Sequence, residues 1–372
     1  MKKRRKDKRR KGGLRFFGIT SRALMSVAAA LLVVSYLSLY VNPAHAWFMT
    51  VFGLLFVPLA LLNVFLLLWA IARRSRAVLI PLLALLPAFL LSGRYFQFGK
   101  SAHAQADGGR ELKVLSYNVG RFASASKSSG VGDRKDCADS VFALIKELDP
   151  DIVCLQEFYI SDARRAGDYL ARRFRGYNIE YFVYPTSKGC YGNVTLSRFP
   201  IVSKSRLDFD ASSNLAISCD VDMDGTLYRI YNCHFQSYSL SLASLAAKLR
   251  GDYREAVRYT EDRMRRSISL RPKQVDMVMS NVEESPVESF VVGDFNDVPI
   301  SYTYQRLSRG RTDSFTQAGR GTGATYAGLR PFLRIDYVLF PTRFRALSHE
   351  VLHEGFSDHY PIMTRLELPA AE

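Results

Sequence analysis

The chain has 372 residues, 51 Lys/Arg against 35 Asp/Glu, a formal charge of +16 and five cysteines. The odd cysteine count excludes a complete disulfide framework, though it leaves room for a single bridge outside the cytoplasm, and no cysteine spacing matches a metal site. The charge is concentrated at the front: residues 111–372 hold 34 Lys/Arg and 33 Asp/Glu, a balance of +1, which does not imply a generic polyanion-binding surface over that part.

Residues 1–22 carry eleven Lys/Arg against the single Asp7, and charge is then absent from Ala23 to Ala72. Ala23 to Val41 is one apolar run, and Asn42 to His45, with Pro43, reads as a turn. Ala46 to Ala72 is a second run, long enough to cross a bilayer with tilt. After Arg73, Arg74 and Arg76 comes a third uncharged segment, Ala77 to Gly93, shorter and holding Pro81 and Pro87, which membrane helices tolerate. The sequence thus predicts a transmembrane region of about three helices over 23–93 behind a basic tail over 1–22. The basic residues fall on the tail and on the Arg73–Arg76 loop but not on the Asn42–His45 loop. Tail and second loop are therefore expected in the cytoplasm, and three crossings put the rest of this multi-pass protein outside it. A re-entrant third segment would reverse that. A rival reading takes Ala23–Val41 as a signal sequence cleaved after Ala44-His45-Ala46, with the downstream topology unchanged. The bilayer is the expected partner of the front third. Its basic tail reads as a topology signal and anionic-lipid contact rather than a nucleic-acid arm.

Residues 94–110 read as a linker, and 111–372 as one domain, ample for a large core. Asp133 to Leu148 predicts a helix whose Val141, Phe142, Leu144, Ile145 and Leu148 suit covering a sheet, and Ser161 to Phe174 predicts another. Leu242 to Glu284 predicts a longer helix, interrupted near Pro272. It carries Tyr253, Val257, Met264 and Ile268 on one side and Arg250, Arg254, Arg258, Arg263, Arg265, Arg266, Arg271 and Lys273 on others. Those cations read either as a solvated face or as a collector of anionic substrate or lipid phosphate.

Short apolar, β-branched runs end in polar groups throughout this domain. Asn118 ends Leu112–Asn118, Glu157 ends Asp151–Glu157, and His234 follows Tyr228–Cys233. Asp294 and Asn296 follow Ser289–Gly293, where the glycine lets the chain turn, Asp336 opens Ile335–Phe340, and Asp358-His359 precedes the strand-like Ile362–Leu368. One polar group per strand end is the layout of a site on the rim of a sheet.

The motifs Ser116-Tyr117-Asn118, Leu155-Gln156-Glu157, Gly192-Asn193 with Leu196-Ser197-Arg198, Asn232-Cys233-His234, Gly293-Asp294-Phe295-Asn296, Ile335-Asp336-Tyr337 and Ser357-Asp358-His359, in this order, resemble the endonuclease/exonuclease/phosphatase superfamily with its deoxyribonuclease I-like fold. The resemblance covers about residues 111–368. It implies a four-layered α/β sandwich, two packed mixed sheets flanked by helices, and divalent-metal-dependent cleavage of phosphate esters. It also implies that Asp294 and Asn296 orient the attacking water and the phosphate, and that His234 donates a hydrogen bond or proton on the opposite side. Asn193 and Arg198 occur where the family has a substrate-facing strand. Unlike the nucleases of that fold, Cys190–Asn193 offers no glutamate to support His234.

Elementary chemistry asks for the same parts. An anionic phosphate ester needs a hard cation, a base for water and an acid for the leaving group. Glu157 and Asp358, with the amide oxygen of Asn118, suit magnesium or manganese. His359 is the expected base or phosphate-polarising group, with Asp336 on its other ring nitrogen. Whether Asp294 or His359 takes the water's proton stays open at this point, and His349 and His353 are expected to be ordinary surface or loop residues. The leading expectation is a membrane-tethered phosphodiesterase or phosphomonoesterase. A nuclease acting on DNA or RNA and a non-catalytic membrane-anchored binding module are the alternatives, and the sequence points to no protein partner.

Overall fold

The structure, a computed structural model, describes residues 20–99, 110–123, 134–187, 189–209, 212, 214–238, 253–329 and 331–369. Most of the basic tail, the linker residues 100–109, Asp133 and the start of the predicted 242–284 helix, Arg250 included, lie outside the described residues.

Runs such as Ile152-Val153-Cys154-Leu155 are buried along their whole length, because each strand is packed on both faces. One sheet has the order β13-β14-β2-β3-β5-β4, formed by Arg345–Val351, Ile362–Glu367, Glu111–Asn118, Ile152–Ile160, Gly189–Ser197 and Asn178–Thr186. The second has the order β10-β12-β9-β8-β7-β6, formed by Arg311–Asp313, Asp336–Pro341, Ser289–Asp294, Thr226–His234, Leu215–Met223 and Ile201–Asp208. Both are mixed: β2 with β3 and β8 with β9 are parallel, and the other neighbours are antiparallel.

The sheets pack face to face through Leu112, Val114, Ile152, Cys154, Ile230, Phe290, Val292, Val338 and Ile362. The helix Arg134–Leu148 covers the outside of the first sheet with Val141, Phe142 and Ile145, and the helix Tyr253–Glu283 covers the second with Val275, Val278 and Met279. The result is the expected four-layered α/β sandwich. The five cysteines are all buried and free.

Several expectations are corrected here. The long helix continues through Pro272. Pro272 removes one backbone hydrogen bond, but the buried residues that follow it hold the helix to the sheet. Arg271 belongs to no solvated face: it is buried, 3.0 Å from Asp297, and donates to the carbonyl of Gln236 and to Tyr238 Oη. His349 is not a surface residue either, whereas His353 is exposed in the loop after β13. His349 lies on β13 beneath the short helix Ser314–Ala318, its Nδ1 2.8 Å from Ser314 Oγ.

In the front part, two helices are long and apolar enough to cross a membrane, Thr20–Leu39 and Arg76–Arg94, or three if the bent pair Phe48–Leu54 and Phe56–Ala72 counts as one span. The short third segment is therefore continuous, and the long second run is the broken one, bent by 56° at Leu55. Pro58 sits in the first turn after the break, where its missing N–H costs nothing.

Burial pushes the His349 imidazole down to about 4. A histidine held neutral in the fold gives stability that is full above the ordinary pKa of 6.5 and is lost as pH falls from there to about 4. The loss amounts to about 3 kcal/mol. Thermal denaturation of His349→Gln is expected to vary less between pH 7 and 4 than that of the parent chain; equal slopes would refute this.

Candidate active site

Three strand ends of the second sheet meet on one rung. His234 closes β8, Asp294 closes β9 and Asp336 opens β12, and the register pairs Asp294 with both of the others. Directly opposed residues project from the same face of a sheet, so the three side chains leave together. The close approach of β8 and β9 depends on Gly293, at φ 130°, where a Cβ would lie 2.1 Å from the Cys233 carbonyl oxygen.

The first sheet supplies the facing half. Asn118 ends β2 and crosses the gap, its Nδ2 donating to Asp294 Oδ2 at 2.9 Å while its Oδ1 accepts from Gly120 N at 3.0 Å. A register shift in β3 between Leu155 and Phe158 puts Glu157 at φ 51°, so Gln156 is buried while Glu157 keeps a side-chain exposure of 22%. The loop before β14 is pinned by Ser357, whose Oγ donates to the Asn118 carbonyl at 2.8 Å and accepts from His359 N at 3.2 Å.

At the centre, His359 Nδ1 lies 2.9 Å from Asp336 Oδ2, and its Nε2 lies 3.8 Å from Asp294 Oδ2. Asn296 holds Asp294 from below, through its backbone N at 2.8 Å and its Nδ2 at 3.1 Å, and that Nδ2 also donates to the Phe235 carbonyl. His234 Nε2 stands 3.7 Å from Glu157 and 3.8 Å from Asp294, and has no hydrogen-bond partner among the described residues. Asn118, Glu157, His234, Asp294, Asn296, Asp336 and His359 are thus carried by loops and strand ends joined through these contacts, and Asp358, next to His359, accepts from Ser357 Oγ at 3.3 Å.

Burial pushes the Asp294 carboxyl up to about 7, helped by Asp336 and opposed by His359. Burial alone would lower His359, but Asp336 and then Asp294 outweigh it and raise the imidazole to about 10. Glu157 is held below its ordinary value, because His234 and Arg121 outweigh its burial, while burial lowers His234. At neutral pH His359 is therefore a cation between the Asp294 and Asp336 carboxyl groups, and His234 is neutral.

Two expected substrate contacts are not on this rim. Arg198 follows the far end of β5, because β5 runs antiparallel to β3. It sits beside the start of β3, its N donating to the Asp151 carbonyl, its guanidinium on Asp149 and over the Tyr177 ring. Asn193 is fully buried between the sheets, its Nδ2 donating to the Asn232 carbonyl at 3.0 Å and the Leu215 carbonyl at 3.3 Å. Conversely, nothing in the sequence pattern pointed to Arg121, which holds Glu157 at 2.9 Å and lies over Tyr191, or to Tyr326, whose ring stands edge-on to His359 at 5.3 Å. Neither sits in a strand-end pattern, which was the one signal available.

Ligand atoms of Asp294, Asp336 and His359 lie within 4.8 Å of one another. The His359 Nδ1 of this trio is already occupied by Asp336 Oδ2 at 2.9 Å, a pairing that suits a proton-holding group. The remaining carboxylates, Glu157 and Asp358, are oxygen donors of the kind a hard divalent ion takes, and Arg121 is the one guanidinium paired with either of them among the described residues. Asp336 Oδ1 is buried without a hydrogen-bond partner among the described residues.

A family model described as the Endonuclease/Exonuclease/phosphatase family matches residues 115–359. The chain belongs to this family. Members of the endonuclease/exonuclease/phosphatase family are hydrolases of phosphate ester bonds. A second model, described as a domain of unknown function, matches residues 16–95. No curated protein matches the sequence. Among similar solved structures is a family member from Leptotrichia buccalis, 16% identical, covering 69% of this chain and 100% of that one at TM-score 0.51. The human Nocturnin catalytic domain with bound sulfate is 17% identical over 69% and 94%, at TM-score 0.50. A family protein from Bacteroides thetaiotaomicron is 17% identical over 72% and 98%, at TM-score 0.50. At such identities the likeness shows the fold alone.

Asp336→Asn should leave the fold intact and lower kcat by about 10²–10⁴-fold. In nitrogen NMR of labelled histidine, the His359 titration should fall from its raised value of about 10, because Asp336 is the largest of the charges that raise it. An unmoved titration would show that Asp336 does not set the His359 charge. Arg198→Ala should keep activity within about twofold of the parent, as expected of a surface substitution away from the site.

Proposed function

We propose that this protein is a membrane-tethered, divalent-metal-dependent phosphoesterase that hydrolyses a phosphodiester or phosphomonoester with water. The observation that carries this reading is the Asp294 rung, in which a buried carboxyl of raised pKa stands between a cationic and a neutral imidazole, 3.8 Å from each. His359, already protonated, cannot serve as base, so the geometry favours Asp294 for that task. A carboxyl with a pKa of about 7 is a stronger base than an ordinary aspartate and still has a sizeable fraction, about half, free of its proton at neutral pH.

Asn118 and Asn296 fix the Asp294 carboxylate and leave its outer face for water. His359, kept charged by Asp336, supplies positive charge for the phosphate oxygens, and His234 is a neutral donor on the opposite side. In the step itself the water oxygen bonds phosphorus and the ester P–O bond breaks. The proton that water loses passes to Asp294 and from there, through solvent, to the leaving alkoxide, which departs as the alcohol. Glu157 and Asp358, with Asn118 beside them, are the groups to hold Mg²⁺ or Mn²⁺, which when bound neutralises the phosphate and polarises its P–O bonds. Without such a cation the carboxylates Glu157, Asp294, Asp336 and Asp358 would repel an anionic substrate.

The apolar front helices are read as a multi-pass anchor, with the hydrolase domain outside the cytoplasm on the strength of the Lys/Arg distribution. An alkaline phosphatase reporter fused after Lys100 should be active; an inactive reporter beside a well-expressed fusion would put the domain in the cytoplasm.

Full-length protein in detergent should hydrolyse bis-p-nitrophenyl phosphate, lose that activity to a chelator, and regain it with magnesium or manganese. His359→Ala should remove it. Glu157→Gln should raise the metal concentration for half-maximal rate by at least about tenfold. Hydrolysis that survives chelation, or survives His359→Ala, would reject the mechanism.

A further inference from the structure

The hydrolase domain does not hang from its anchor. It is bolted to it at three places, the first two within a few residues of the active rung. Four residues after Asn296, Ile300 is fully buried among Leu32, Leu39, Phe56, Ala84 and Ala88 of the apolar helices. Its carbonyl accepts from Ser38 Oγ at 3.0 Å, and a Cβ at Gly53 would lie 2.6 Å from the same oxygen, so the loop enters a fitted notch. Two residues before Asp336, Arg334 Nη2 donates to the Arg94 carbonyl at 2.9 Å, at the end of the apolar helix Arg76–Arg94. Arg94 in turn donates to the Pro299 carbonyl and to Gln305 Oε1. Finally, the two-residue strand β1 (Gln97–Phe98) pairs with β11 (Arg320–Gly321).

These contacts place a set of aromatic rings where the span ends. Phe98 is 93% exposed, Phe332 57% and Phe96 45%. Exposed Phe rings at the end of an apolar span are penalised by water and not by the boundary between headgroups and acyl chains, where membrane-surface segments bury Trp, Phe and Leu. Phe332 is next to Leu333, whose carbonyl accepts from Thr325 N and Tyr326 N. Tyr326 is the ring beside His359, and Ala327 N donates to the Asp358 carbonyl at 2.8 Å. Phe332 and the His359 side of the site are thus separated by about two strand spacings, roughly 10 Å, comparable with the roughly 5–8 Å headgroup layer on each side of a bilayer.

We propose that the active site is held at the headgroup layer and that its substrate is a phosphate ester of a membrane lipid in the adjoining leaflet. This rests on the phosphoesterase reading above and narrows its substrate class. Water adds to the lipid's phosphorus, one ester P–O bond breaks, and the departing alkoxide takes up the proton that water loses, leaving as the alcohol. A site fixed at that height meets lipid phosphate at high effective concentration, whereas a soluble ester gains nothing from the docking.

The test uses the full chain reconstituted in vesicles of phosphatidylcholine with phosphatidylglycerol or phosphatidic acid. It compares hydrolysis of these lipids with that of glycerophosphoglycerol and glycerol phosphate, the same esters without acyl chains, and of an oligonucleotide. Bis-p-nitrophenyl phosphate reports the chemistry itself. At least one lipid ester should be cleaved at least 100-fold faster than its deacylated counterpart. The pair F98S and F332S should lower lipid hydrolysis at least tenfold while leaving bis-p-nitrophenyl phosphate within twofold. In a W47F/W69F background, Phe332→Trp fluorescence should be quenched by lipids brominated near the headgroup. Equal rates on deacylated esters, preference for the oligonucleotide, an unquenched Trp, or parallel behaviour of both activities in the double variant would each overturn the proposal. Insensitivity of bis-p-nitrophenyl phosphate hydrolysis to His359→Ala would instead bring down the phosphoesterase reading, so the two failures are told apart.

Discussion

Two carboxylates on adjacent strands, Asp294 and Asp336, are buried side by side, and the rest of the site follows from how they are kept there. Like charges so placed cannot both stay ionised without a counter-charge, and His359 supplies one by standing between them. Removing the imidazole would leave uncompensated charge in the interior, a change that typically costs about 3–5 kcal/mol. The raised Asp294 carboxyl and the raised His359 imidazole are two faces of this single arrangement.

The rung depends on both sheets. Asn118 belongs to the first sheet and Asp294 to the second, and their hydrogen bond spans 176 residues of sequence. Beneath it a buried amide network ties the same strands: Gln156 Nε2 donates to Asn232 Oδ1 at 2.8 Å, Asn232 Nδ2 to the Val194 carbonyl at 3.0 Å, and Asn193 Nδ2 back to the Asn232 carbonyl. Buried polar networks fix one relative placement of the layers they join, since any slip leaves amides unsatisfied. This explains why Asn193, next to the bulge that presents Glu157, serves the site from inside the sandwich rather than from its rim.

The sheets and the strand-end polar groups were legible because short apolar β-branched runs, buried on both faces, end where their polarity changes. What could not be read was anything set by a shift of one residue or by a partner distant in sequence. The β3 bulge decides which of Gln156 and Glu157 reaches the site, and no local signal announces it. Arg198 looked like a substrate contact only while the antiparallel sense of β5 was unknown. Arg271 and His349 looked solvated because Asp297 and Ser314, which receive them, lie far along the chain. In the front helices, apolar length was read correctly as helix, but the break at Leu55 follows from Pro58 and from the tight approach of Gly53 to Ile300, a contact with the other end of the molecule.

That contact changes how the two parts of the chain relate. A flexible tether would need only length and polarity between Arg94 and Glu111, but here Ile300 gives up its exposure to the helices, a burial that contributes about 1.5–3 kcal/mol. The segment it belongs to is continuous with Asp294 and Asn296, which are themselves held by Asn118 and the Phe235 carbonyl. Between these two fixed ends, Asp297 is locked by Arg271 and accepts from its own neighbour Val298 N, so the loop has no slack with which to absorb a displacement of the helices. The segment from Asp294 to Ile300 thus carries contacts at both ends and in its middle. The apolar helices and the active rung are in that sense one mechanical unit, and the position of the site relative to the helix ends is as much a property of the fold as the register of its strands.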